Sequence, residues 1–252
     1  VQIFNPDHSV LILIPAAKGA TAMFIKRDVR PSQSISRRFF MALSLALPIS
    51  LSASLTTVAQ PAQEPLEIVA LGDSLTAGYQ LAPGDGFVPQ LQAALDARGH
   101  HVIIYNAGVS GDTSAGGLAR LDWSIGERTD AVILELGAND ALRGLPPKGT
   151  RDNLRQIIER LTQRGIPVLL AGMYAPPNLG SSYANHFNTI YPDLATTYDL
   201  IFDRFFLEGV AGKKNLNLAD AIHPNAQGIH IIVRRILPKV EQLIEQTKQD
   251  VQ

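Results

Sequence analysis

Residues 66–79 read LEIVALGDSLTAGY: six residues, apolar apart from Glu67, then a glycine, an acid, a serine and a second glycine. A short run of this kind suits a strand buried on both faces, with a turn at Gly72 and a helix beginning near Ser74. The pattern recurs along the chain. HVIIYN (101–106), AVILEL (131–136), PVLLAG (167–172) and a weaker LIFDRFF (200–206) are further strand candidates. Helical candidates lie between them: FVPQLQAALDARG ending on Gly99, SAGGLARLDWSI from Ser114, TRDNLRQIIERLTQRG ending on Gly165, NHFNTIYPDLATTY (185–198), and a last one after Pro224. Leu154, Ile157, Ile158 and Leu161 recur at spacings of three and four, giving one apolar stripe on the third of these. Strands that alternate with helices predict an α/β fold, a parallel five-stranded sheet covered by helices on both faces in three α/β/α layers.

The 252 residues are 46% hydrophobic with a formal net charge of −1, values that suit one globular domain with a sizeable core. Residues 1–65 hold six Lys/Arg against three acids, which leaves −4 on the remainder, so no basic surface is left for nucleic acid. Without cysteine, disulfides, thiolate zinc sites and cysteine nucleophiles are excluded. The segment SRRFFMALSLALPISLSASLTTVAQPAQ (36–63) has the layout of a signal peptide, about residues 36–59: Arg37 and Arg38, an apolar stretch from Met41 to Leu55, then small residues near Ala59. Ser36, Arg37, Arg38 and Phe40 also fit the twin-arginine export motif, and an ordinary secretion signal fits equally. The apolar stretch is short for a membrane span, so a stable anchor is the lesser reading. Residues 1–65 are thus expected to be a targeting segment and linker, residues 66–252 the working domain, and the protein exported to the periplasm or outside the cell. Met23 and Met41 offer later starts than Val1.

In folds of this kind ligands bind beyond the carboxyl ends of the strands. Four polar clusters fall there: GDSLTAG after the first strand, NAGVSGDTS after the second, GANDALRG after the third, and DAIHPNAQG before the last helix. Ser74 at a helix start would see backbone N–H groups and a positive dipole end, which favour an oxygen nucleophile; taken alone, the same stretch also allows Asp73 or Ser74 to serve only as a helix cap. A serine nucleophile needs a base. His8 lies in the targeting segment, His100 and His101 precede a strand at its wrong end, His186 sits in a polar stretch and His230 on the apolar last helix. His223 remains, at a turn before Pro224, with Asp220 three residues earlier able to fold back on one ring nitrogen or merely to cap the turn. For the oxyanion, Gly108 offers an unobstructed backbone N–H and Asn139 a neutral amide, although each also suits an ordinary turn.

In this order the four clusters resemble the blocks that define the SGNH (GDSL-type) hydrolases. GDSLTAGY, SGDTSAGGLARL, ELGANDALRG and APPNLGSSYANHFNTIYP are similar to the small bacterial thioesterase/lysophospholipase/arylesterase subgroup, from about Leu66 to the C-terminal helix. The resemblance implies a flavodoxin-like sheet. It implies Ser74 as nucleophile, His223 as general base and acid, Asp220 as its orienter, and the Ser74 and Gly108 N–H groups with Asn139 as the oxyanion hole. Ala138 stands where the subgroup often has a second glycine. The implied activity is hydrolysis of carboxylic esters and thioesters, among them aryl esters and lysophospholipids, through an acyl-serine, with no cofactor or metal and with a monomer sufficing. A carbohydrate acetylesterase or acyltransferase would share these residues. A flavodoxin-like binding module is the non-enzymatic alternative, though no phosphate-loop motif follows a strand and GVAGKKN near Gly212 has the wrong spacing. The loops around Leu81–Phe87, Leu142–Lys148 and Ala175–Ser182 are expected to shape the substrate pocket.

Overall fold

The computed structural model describes residues 64–250. The targeting segment expected at the N-terminus lies outside them. Among the described residues the chain runs β1 (Leu66–Gly72), α1 (Ser74–Ala77), α2 (Phe87–Asp96), β2 (Val102–Gly108), α3 (Ser114–Ala119), α4 (Leu121–Ser124) and β3 (Ala131–Glu135), then α5 (Ala138–Leu142), α6 (Pro147–Gln163), β4 (Val168–Ala171), α7 (Gly180–Phe187), α8 (Ile190–Thr197), β5 (Ile201–Asp203) and α9 (Ala226–Asp250). The five strands are all parallel, in the order β2-β1-β3-β4-β5. This is the flavodoxin-like order. The direction of winding reverses after β2, so a crevice opens between the ends of β1 and β3.

Burial explains the layers. β1, β3 and β4 are central and lose nearly all their side-chain exposure, as their unbroken Ile, Val and Leu runs require. α2 packs on α9, which reaches across β3, β4 and β5; α3, α6 and α8 pack together on the opposite face. The stripe expected on α6 is fully buried at Leu154, Ile157, Ile158 and Leu161. Burying four such side chains is worth about 6–12 kcal/mol before chain entropy is charged against it.

Some elements depart from the sequence expectation. The fifth strand keeps only Ile201–Asp203, because Phe206 N–H turns back to the Gly172 carbonyl and Arg204 is left exposed. SAGGLARLDWSI breaks at Arg120, whose guanidinium is held by Asp112 and the Gly72 carbonyl. NHFNTIYPDLATTY divides between α7 and α8: Pro192 lacks an N–H and is accommodated in a first helical turn, so a new helix begins at Ile190. The last helix does begin after Pro224, and Asn225 accepts the Gly228 N–H at 3.0 Å as its cap.

Candidate active site

Ser74 is the first residue of α1, directly beyond β1. Asp73 caps that helix, its Oδ1 accepting the Leu75 N–H at 3.0 Å, so the Ser74 hydroxyl is free for another partner. That partner is His223, with Nε2 2.8 Å from Ser74 Oγ across 149 residues of sequence. On the far side of the ring, Nδ1 lies 2.7 Å from Asp220 Oδ2. The other Asp220 oxygen accepts the backbone N–H groups of Ile222 (2.9 Å) and His223 (3.0 Å). Asp220 therefore closes the turn and orients the imidazole at once. Burial works against its charge, but those two N–H groups and the His223 ring outweigh it and hold the carboxyl down at about 2. Tyr79 covers the imidazole, the ring centroids 4.6 Å apart.

The oxyanion donors are placed less simply. Asn139 lines the cleft beside Ser74, and its Nδ2 donates to Asp73 Oδ2 (3.1 Å) and to the Asp112 carbonyl (2.8 Å). Gly108 does not fill the position expected of it. Its N–H is taken by Asn106 Oδ1 at 2.9 Å. The close approach of α1 explains why this residue is glycine: a Cβ there would stand 2.3 Å from Ala77 N. Three residues later Gly111, at φ +87°, has its carbonyl tied to Arg143, and among the described residues its N–H has no acceptor. The Ser74 N–H is equally free. Both glycines stand in the same sequence cluster; the nearer one serves packing, and only the turn geometry distinguishes them.

Sequence reasoning missed the support beneath the site. Asp73 is fully buried, and burial pushes its carboxyl up to about 6 against the opposing pull of the Leu75 N–H, His223 and Asn139. Below it Glu135, also fully buried, accepts from Thr76 Oγ1 at 2.7 Å and more distantly from the Asp73 N–H at 3.4 Å. Burial, then the neighbouring Asp73 charge, raise this carboxyl well above its ordinary range. The signal was present in AVILEL: an acid inside a run whose neighbours must all be buried. Asp140 accepts the Ser114 N–H at 2.7 Å, the Ser114 hydroxyl and the Thr150 hydroxyl, clamping α5, and with it Asn139, to α3 and α6.

Among the described residues the other histidines stay away from this chemistry. His100 contacts Glu241 at 3.0 Å, His186 contacts the Ser182 carbonyl, and His230 is exposed. Ser74, Asn139 and His223 open on a cleft of about 520 Å³ whose walls are mostly apolar, including Leu142, Met173, Pro176, Phe205 and Ile222. Ala138 lines it too. Of the three loops expected to shape it, those at Leu142 and Ala175–Pro177 do so; the Leu81–Phe87 loop does not, and Phe205–Leu207 with Ala211–Gly212 take its place.

A sequence profile of the GDSL-like Lipase/Acylhydrolase family matches residues 70–231. The chain belongs to that family. Among curated relatives, the Esterase TesA of Pseudomonas aeruginosa is 37% identical over 178 residues, 70% of this chain and 89% of the relative. The Arylesterase of Vibrio mimicus is 39% identical over 186 residues, 73% of this chain and 90% of the relative. Among solved structures, AlinE4, an SGNH-hydrolase family esterase, aligns with a TM-score of 0.61 at 45% identity, over 71% of this chain and 97% of its own. The psychrotrophic esterase EstA from Pseudoalteromonas sp., solved inhibited by monoethylphosphonate, aligns at 0.67 and 32% identity, over 71% of this chain and 98% of its own. Like these GDSL-family relatives, the chain is a hydrolase of the esterase class. Among its described residues no helix is long and apolar enough to cross a membrane, and no group of three His, Asp or Glu side chains is arranged to hold a metal ion.

Proposed function

We propose that Ser74 is the nucleophile of an exported hydrolase of carboxylic esters and thioesters, with aryl esters and lysophospholipids in its range. The observation that carries this is the unbroken contact from Asp220 through His223 to Ser74, opening on an apolar cleft. Ser74 Oγ attacks the carbonyl carbon while His223 Nε2 takes its proton; Asp220 holds the Nδ1–H and stabilises the imidazolium. His223 then protonates the departing alcohol or thiol, and water, activated by the same ring, releases the acid from the acyl-serine. The Ser74 N–H, the Asn139 amide and the Gly111 N–H are the donors proposed for the oxyanion, with Gly111 taking the part first assigned to Gly108. A charged oxygen is a stronger acceptor than the Asp112 carbonyl that Asn139 meets at rest. The apolar walls favour an acyl chain over a sugar ring, which sets a carbohydrate acetylesterase second.

Export rests on the arginine pair and apolar stretch of residues 36–59. It makes residues 66–252 the mature domain, acting as a monomer on substrates met outside the inner membrane. Reaction with a fluorophosphonate tests the nucleophile: the expected result is one adduct on Ser74, absent from Ser74→Ala, with hydrolysis of a nitrophenyl ester lowered about 10⁴-fold or more in that variant. Turnover of the ester by Ser74→Ala at the wild-type rate would overturn the assignment. Sequencing the mature N-terminus tests export, and a chain that still begins before Met41 rules out the cleavage.

A further inference from the structure

Parallel strands deliver all their carboxyl-end loops to one edge of the sheet, so the surface of that edge can be compared with the rest of the molecule. Of the large apolar side chains left exposed among the described residues, Tyr79, Val109, Leu142, Leu145, Tyr174 and Ile222 all lie in the loops or the short helix α5 at that edge, whereas Ile103, Tyr105 and Trp123 lie elsewhere. Leu142, Tyr174 and Ile222 line the cleft and are accounted for by a bound acyl chain; Val109 and Leu145 do not line it and are exposed on the same edge without that account. An apolar rim of this extent around a site marks contact with something larger than one substrate molecule.

The charge on the same edge points to what that is. Lys213 and Lys214 border a hollow that shares Gly212 and Ala221 with the cleft, and among the described residues neither forms an ion pair. Arg143, between Leu142 and Leu145, spends its guanidinium on the Gly111 carbonyl and not on an acid. Of the acids in those loops, Asp112 is paired with Arg120, Asp220 and Asp140 bond His223 and two hydroxyls, and, among the described residues, Asp85 and Glu208 are exposed without an ion pair. Lys213 and Lys214 therefore make a local cationic corner beside the cleft, on a domain that is acidic overall.

We propose that this edge docks on the surface of an anionic phospholipid bilayer, setting the mouth of the cleft against the lipid. Apolar rim residues enter the headgroup boundary and the lysines face the phosphates, a combination that binds more firmly than either feature alone. The inference rests on the ester-hydrolase function proposed above and adds where its substrate is met.

Flotation with large unilamellar vesicles tests it, using the purified protein and vesicles of phosphatidylcholine alone or mixed with phosphatidylglycerol. Wild type is expected to float with the mixed vesicles, less so in 0.5 M salt, at roughly the ionic strength where screening shortens to a few ångströms. The pairs Lys213→Glu/Lys214→Glu and Val109→Ser/Leu145→Ser should each lower partitioning about tenfold or more. Both should keep the wild-type kcat/KM on a soluble nitrophenyl ester, which also shows them folded. Variants that float like wild type would put the contact elsewhere on the chain and overturn the proposal, as would equal binding to both vesicle types. Self-association that these substitutions abolish would assign the face to a second copy and overturn it as well. Loss of soluble-ester hydrolysis in wild type would strike the function and leave the vesicle result to be read on its own.

Discussion

Glu135 and Asp203 both close the carboxyl end of a strand in the same sheet, and both are buried to about 1% exposure or less. Their partners are opposite in kind. Asp203 meets Arg235 from α9, which donates to both carboxylate oxygens, to Oδ2 at 2.9 Å, and with the same Nη2 to the Phe206 carbonyl at 2.8 Å. Glu135 has a hydroxyl and one distant N–H, and its Oε1 has no hydrogen-bond partner. A buried acid with a cation stays charged. Without one, and next to a second acid, it keeps its proton. At the β5 edge the fold is fastened by opposite charges; beneath Ser74 it uses an acid whose burial favours the protonated form, which accepts from the Thr76 hydroxyl and the Asp73 N–H.

Exchanging each acid for its amide sharpens this contrast. Asp203→Asn removes the charge but leaves Arg235, on α9 and only about a quarter exposed, without its counter-ion, a loss of about 3 kcal/mol in urea unfolding. Hydrolysis per folded molecule should change little, because the pair touches none of Ser74, Asn139, Asp220 and His223 and reaches the cleft wall only through the Phe206 carbonyl. A cost under about 1 kcal/mol would mean that Arg235 finds water or another acceptor, and the distinction between the two acids would fail.

The sequence makes one half of the comparison visible and hides the other. Ser74, Asp220 and His223 are legible because each stands where a turn and a chemical need coincide: a helix start, an Asx turn, a residue before proline. The central strands are legible because burial on both faces leaves no room for alternation. Partnership across space is not. Nothing local in LIFDRFF says that Asp203 will meet a residue 32 positions on, nor that Arg204 will turn outward and end the strand. Gly108 misleads for a related reason: glycine near a strand end answers equally to a donor site and to a close-packed backbone, and here the approach of α1 decides.

Glu135→Gln is the companion test and a smaller one. An amide reproduces a protonated acid in shape and still accepts from the Thr76 hydroxyl, so unfolding at neutral pH should change by about 1 kcal/mol or less. A loss matching that of Asp203→Asn would show that Glu135 works as a charge after all. Glu135→Ala makes the control: deleting the group leaves Thr76 without its acceptor and opens space beneath α1, and should cost clearly more than the amide.

The finest discrimination is by pH. Asp73 ionises at about 6 in the folded chain against an ordinary value of 3.8. Between those values the folded state holds the extra proton, so this group's contribution to stability falls as pH rises from about 4 to 6 and is level above that. Asp220 has the reverse sign: its folded value of about 2 lies below 3.8, so its stabilisation is complete above about 4 and is lost as pH falls toward 2. The two acids on either side of the Ser74–His223 contact thus act in adjoining windows with opposite slopes. Thermal midpoints of wild type and Asp73→Asn at pH 4.5 and 7 separate them: wild type should lose stability relative to the variant over that interval, because an amide has no proton to release. Parallel midpoints would mean that Asp73 ionises normally despite its burial, and that the strain of an uncompensated acid lies on Glu135 alone.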